Sequence, residues 1–232
     1  MANYIKLMFL IIVILLLNIT SIFASSMDVL LINSVRNNDV NMVKTALSNG
    51  ANINYMPDIC TSPLSIAVQN KNSDMVHFLI LNGANCNYQF INMSEKVTPL
   101  IQAVLNTDIK TVRVLLEAGA DINGTSENGN TPIMAAATSE PKIMIVQLLI
   151  SKGANVNQAN NYGTTPLMIV AKHENGWLPD ISPAKLAVAK LLLQAGSDTT
   201  IRDNYYNKSA LDYAIDTNFK EMINLLLPLS SK

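Results

Sequence analysis

Gly153-Ala154-Asn155-Val156-Asn157 is followed, after three further residues, by Asn161-Tyr162-Gly163-Thr164-Thr165-Pro166-Leu167. These two phrases decide the fold, because both recur and both keep the same step. The first returns as Gly50-Ala51-Asn52-Ile53-Asn54, Gly83-Ala84-Asn85-Cys86-Asn87, Gly119-Ala120-Asp121-Ile122-Asn123 and a worn Gly196-Ser197-Asp198. Its glycines are spaced 33, 36, 34 and 43 residues apart. The second returns as Ser62-Pro63-Leu64, Thr98-Pro99-Leu100, Thr131-Pro132-Ile133 and Ser209-Ala210-Leu211. Two independent phrases sharing one period mark an array of repeated units rather than one irregular core.

Each phrase has a physical reading. A Ser or Thr before Pro is a helix N-cap followed by the favoured first helical residue. Small residues follow at Ala67, Ala103, Ala136 and Ala214, where helices approach closely. A second apolar run closes each unit, as in Val112-Val114-Leu115-Leu116 and Ile145-Val146-Leu148-Leu149. It stops at a glycine placed for the left-handed conformation that ends a helix. Between that glycine and the next cap lies a stretch rich in Asn, Asp and Gly, which predicts a turn or hairpin finger. Asp39, Asp74 and Asp108 precede the second helices and are expected to cap them. The abundance of Asn is a compositional bias that also suits these turns and caps.

The unit is therefore helix, turn, helix, finger, and it resembles the ankyrin repeat from about Asp28 to Pro228. Most diagnostic are Asn161 to Leu167 and Glu127-Asn128-Gly129-Asn130-Thr131-Pro132-Ile133. The resemblance implies an all-α solenoid of stacked helix-turn-helix units with hairpin fingers. The array would occupy residues 25–232, in units at 27–54, 55–87, 88–123, 124–157, 158–200 and 201–228. The family's usual His after Thr-Pro-Leu, which hydrogen-bonds neighbouring turns, is replaced here by Ser65, Ile101, Met134, Met168 and Asp212. Looser turns are expected.

The array is irregular in two places. The second full unit has a longer finger, Tyr88 to Val97, containing Phe90 and Ile91. The fourth carries an insertion, Glu174 to Ser182, with the sole tryptophan, Trp177; Ser182-Pro183 then restarts its second helix. Trp177 either anchors a partner or folds back onto the helices. The family's partners bind the concave face formed by fingers and first helices. The resemblance implies such a face on this chain, at positions that include Asp58, Ile59, Glu95, Glu127, Asn128, Tyr162, Thr164, Asn204 and Tyr205. Together with Trp177 these are the candidate partner-binding residues. Tyr162 and Tyr205 occupy comparable finger positions, and tyrosine combines contact area with a polar tip.

The first residues differ from the rest. Lys6 precedes an apolar run, Leu7 to Leu17, then Asn18, Thr20, Ser21 and the small pair Ala24-Ser25. That order describes a secretory signal peptide over 1–24, cleaved after Ala24; an uncleaved anchor is the alternative. Export to a periplasm is expected first, secretion second. With 14% charged residues and a net charge of −1, no basic field draws the chain to nucleic acid. Cys60 and Cys86 form no C-x-x-C or zinc spacing and are expected as two free, half-buried thiols. His77 and His173 have no ligand spacing, and no catalytic or phosphate-binding signature appears. The expectation is a monomeric, exported protein-interaction module. It would have no catalytic site, cofactor, metal or small-molecule substrate, and would touch a membrane only through a retained leader. Its concrete form would be an inhibitor, immunity-type or protective partner of an extracytoplasmic enzyme. The alternatives are a membrane-tethered scaffold, or an enzyme with an unrecognised site.

Overall fold

The structure, a computed structural model, describes residues 26–92, 95–138, 142–172 and 182–229. The expected signal peptide, His173 and Trp177 lie outside the described residues. The chain divides into two compact units, Met1–Asn85 and Cys86–Lys232.

The first unit holds α1 (residues 26–36), α2 (Val40–Ser48), α3 (Pro63–Gln69) and α4 (Ser73–Leu81). Asp39 caps α2 by accepting the Met42 N–H, and Ser62 caps α3 with Pro63 at its first turn. Asn72, not Asp74, caps α4; Asp74 instead occupies the first turn, where a carboxylate meets the positive end of the helix dipole.

The second unit holds a hairpin and four helix pairs. Strands β1 (Phe90–Asn92) and β2 (Glu95–Val97) pair antiparallel, with Phe90 opposite Val97. Then come α5 (Pro99–Leu105) with α6 (Ile109–Glu117), and α7 (Pro132–Ala136) with α8 (Ile143–Ser151). They are followed by α9 (Pro166–Ala171) with α10 (Ser182–Gln194), and α11 (Ala210–Asp216) with α12 (Lys220–Leu226). First helices stack on first helices in the order α5, α7, α9, α11, and the second helices α6, α8 and α10 stack in the same order. Ala103, Ala136, Ala171 and Ala214 are fully buried between them, and Val112, Leu115, Val146, Leu149, Val188 and Leu192 fill the layer behind. Phe90 belongs to this core at 2% exposure, so the aromatic residue of the long finger is structural.

The repeated glycines close their helices as expected, with φ between 83° and 96° at Gly50, Gly83, Gly119, Gly153 and Gly196. The recurring asparagines are not compositional noise. Asn54 accepts the Asn85 N–H (2.8 Å) and donates to the Gly83 carbonyl (3.3 Å). Asn87 accepts from Asp121 (2.9 Å), Asn123 from Asn155 (2.8 Å) and Asn157 from Asp198 (2.8 Å). Successive phrases are thereby stitched by a side-chain amide oxygen that accepts a backbone N–H, and Asn54 and Asn157 also donate to the Gly83 and Gly196 carbonyls.

The turns where the family His is missing are not loose. Ser65 Oγ accepts the Ser62 N–H (2.8 Å), and Asp212 Oδ2 accepts the Ser209 N–H (2.8 Å). The sulfurs of Met134 and Met168 lie 3.5 Å from the Thr131 and Thr165 amides. Only Ile101 leaves its box without a side-chain acceptor; Thr98 still caps the Ile101 N–H.

Candidate functional site

Successive fingers of the second unit are linked tip to tip. Glu127 donates its backbone N–H to the Lys96 carbonyl (2.9 Å), Asn161 to Asn128 (3.1 Å) and Asn204 to Tyr162 (2.9 Å). This backbone ladder fixes the register of everything the fingers present. Side chains reinforce it. Glu95 accepts from the Ser126 hydroxyl and from the Asn128 N–H (3.2 Å). Glu127 accepts the Lys96 N–H (3.3 Å), Asn161 donates to the Glu127 carbonyl (3.0 Å), and the Tyr162 hydroxyl reaches Asn128 (3.4 Å).

The predicted residues accordingly separate by role. Glu95, Glu127 and Asn128 hold neighbouring fingers together. Tyr162, at 52% exposure, and Tyr205, at 76%, project from the tips, with Asn204 beside them and Thr164 half-buried below. Asp58 and Ile59 belong to the first unit, where Asp58 pairs with Thr61 across a tight turn and Ile59 is 62% exposed at its apex. Cys60, in the same turn, is exposed, whereas Cys86 is buried in the apolar slot of its phrase; both are free thiols. Burial pushes the Cys86 thiol up from its ordinary value. His77 is exposed on α4.

Two hollows open between the fingers and the first helices of the second unit. One, of ≈ 380 Å³, is an apolar slot lined by Val97, Ile101, Leu105, Met134, Ala135 and Ile169, with Glu95, Ser126, Asn130 and Thr138 around it. Two of the residues that replace the family His, Ile101 and Met134, supply this apolar lining.

The other hollow, of ≈ 420 Å³, is lined by Tyr162, Thr164, Lys172, Asp203, Tyr205, Tyr206 and Tyr213. Asp203 organises it. One oxygen accepts the backbone N–H groups of Tyr205 (2.8 Å) and Tyr206 (2.6 Å); the other accepts the Lys208 N–H (3.3 Å) and the Tyr213 hydroxyl (2.6 Å). Burial raises the Asp203 pKa, but these four donors together hold it below the ordinary carboxylate value. The Tyr213 phenol is pushed far above its usual range, first by burial and then by the Asp203 carboxylate. The Tyr205 and Tyr206 rings meet edge to face at 5.1 Å. The Lys172 ammonium stands 4.1 Å over the Tyr213 ring. Sequence reasoning missed Lys172, Asp203, Tyr206 and Tyr213. The adjacent pair Tyr205-Tyr206 was visible as a signal; the other three become neighbours only when a helix end, a finger and the next first helix are brought together.

Among the described residues, no group of three or more metal-ligating side chains exists, and no helix is long and apolar enough to cross a membrane. A family model described as ankyrin repeats (3 copies) matches residues 31–126 and 100–203. No curated protein matches the chain.

Proposed function

Because the chain belongs to the ankyrin-repeat family, whose repeats generally mediate binding to other proteins, we propose that it is an exported binding module. Its partner is held on the finger and first-helix face of the second unit. The observation that supports this most is the tyrosine cluster: Tyr162, Tyr205 and Tyr206 are 52%, 76% and 64% exposed, yet their backbones are locked by the finger ladder and by Asp203. Rigid, exposed aromatics on a fixed backbone lose little entropy on binding and are typical hot-spot residues. The apolar slot beside Glu95 extends the same face within the unit. A typical stable interface buries about 1,600 Å², which calls for more than one finger.

Export rests on the order of Lys6, the apolar run Leu7 to Leu17 and the small pair Ala24-Ser25. With it we place the module in a periplasm, restraining or protecting an extracytoplasmic enzyme. The test is affinity capture from the exported fraction with intact-mass measurement. A protein beginning at Ser25, retaining a stoichiometric partner that the double variant Tyr205→Ala/Tyr206→Ala loses by roughly thirtyfold or more in affinity, is the expected outcome. A partner held equally by the double variant would rule out this face. A mass that includes Met1 would rule out cleavage.

A further inference from the structure

The tyrosine-lined hollow carries one charge that no described carboxylate pairs. Arg202 is bound to Asp212 (2.9 Å) and Lys208 to Asp216 (2.7 Å). Asp203 is 5% exposed and spends both oxygens on four donors of its own finger and helix. Lys172 is different. It caps the end of α9 with extended backbone, and its carbonyl receives the buried Lys185 ammonium, so the residue is held in place from behind. Its own ammonium lies over the Tyr213 ring, where the aromatic face steadies a cation without neutralising it. The lining of the hollow thus holds one cation that no described carboxylate pairs, and it shares that lining with Tyr162, Tyr205 and Tyr206.

We propose that this hollow is the specificity pocket of the binding face and that it takes a carboxylate from an acidic segment of the partner protein, seated on Lys172 with a neighbouring apolar side chain against Tyr205 and Tyr206. Charge complementarity selects this occupant. A basic or uncharged segment would leave Lys172 covered and unpaired, and a cation removed from water without a partner is costly. An incoming carboxylate gains a charge-assisted hydrogen bond from Lys172. The tyrosines supply apolar contact around that bond and exclude water from it. The carboxylate can come from an Asp or Glu side chain or from a chain end.

The inference rests on the binding reading above, and the test separates the two. Random peptide libraries, displayed with free and with blocked C-termini, are selected on the immobilised full chain, on Lys172→Glu and on Tyr205→Ala/Tyr206→Ala. Circular dichroism checks that each variant keeps its helix content. Peptides rich in Asp or Glu beside an apolar residue are expected, with affinity falling about tenfold or more on Lys172→Glu, and with Lys172→Glu itself selecting Lys- or Arg-bearing peptides. Selection confined to the free C-terminal library identifies the chain-end carboxylate, and selection from both the side-chain one. Peptides that lack acidic bias, or whose bias survives Lys172→Glu, overturn the pocket while leaving the binding face intact. Peptides that bind the double tyrosine variant as tightly as the unaltered chain overturn both.

Discussion

Thr107 occupies a conformation that its side chain resists. It sits in the turn between α5 and α6 with φ 58°, in the left-handed region that β-branched residues avoid. The equivalent turns of the first and last helix pairs place Asn38 (φ 56°) and Asn218 (φ 51°) there, the residue type that tolerates this region best after glycine. The Thr107 backbone is held by its N–H to the Val104 carbonyl (3.0 Å), and the following amide, Asp108, bonds Ala103 (3.0 Å). The chain therefore keeps the conformation and accepts the strain. Thr107→Asn should stabilise the protein by about 1 kcal/mol, read as a higher urea midpoint at unchanged slope. A lower midpoint would show that the threonine makes contacts worth more than the strain. The same scale shows why part of the architecture could not be read in advance. The cap residues Ser62, Thr98, Thr131 and Thr165 were legible because capping is local. The closing role of the Met134 and Met168 sulfurs was not, because methionine is a weak acceptor whose use depends on where its flexible chain is packed.

At the scale of the element, the finger is the part that turns repeats into a face. Gly129 and Gly163 sit at finger tips with φ 80° and 76°. An added Cβ would meet the Asn161 amide nitrogen at 2.7 Å from Gly129, and the Asn204 amide nitrogen at 2.6 Å from Gly163. Those two nitrogens are rungs of the tip-to-tip ladder. At Gly50, φ is 88° but nothing lies within 4 Å of an added Cβ. Gly50→Ala should therefore cost only the conformational penalty, about 1 kcal/mol. Gly163→Ala should cost more than that and should expose the Asn204 amide to hydrogen exchange, with the α5–α8 amides unaffected. Equal costs at the two positions would mean that the ladder yields freely. The Asn-Tyr-Gly and Glu-Asn-Gly phrases predicted the turns, but not that each glycine is required by the finger next to it. Periodicity reports each unit alone, whereas this contact belongs to a pair. For the same reason Phe90, read only as part of a longer finger, proved to be core. A two-stranded pairing with Val97 turns its ring inward, a geometry the irregular spacing did not reveal.

At the scale of the molecule, acid should act first on the repeat that carries α11 and α12. Among the described residues, the carboxylates held below their ordinary values are Asp198, Asp203 and Asp212, all in the repeat of α11 and α12 or at its entry. Asp198 is lowered by the Thr200 hydroxyl and amide. Asp212 is lowered first by the Ser209 amide and also by the Ser209 hydroxyl and Arg202, against the opposing effect of burial. A carboxyl whose folded value is depressed stabilises the fold fully above its unfolded value, about 3.9, and that contribution is lost as pH falls through the lower folded value. Stability should thus be insensitive to these groups from neutrality to about pH 5 and should decline below about pH 4. Repeats are stabilised by their own contacts and by their neighbours, so a repeat that loses its own contacts opens before those stacked beside it. The loss should therefore appear as opening of residues 203–226 while α5–α8 remain protected, and not as one cooperative transition of the second unit. Hydrogen exchange followed between pH 5 and pH 3 reads the order directly, and Asp203→Asn should flatten the dependence. Uniform loss of protection across α5–α12 would show that the second unit unfolds as a single body. The consequence reaches the proposed pocket, because Tyr205, Tyr206 and Tyr213 are positioned by Asp203. Peptide binding at the hollow should fail at a pH where the rest of the array still holds its helices.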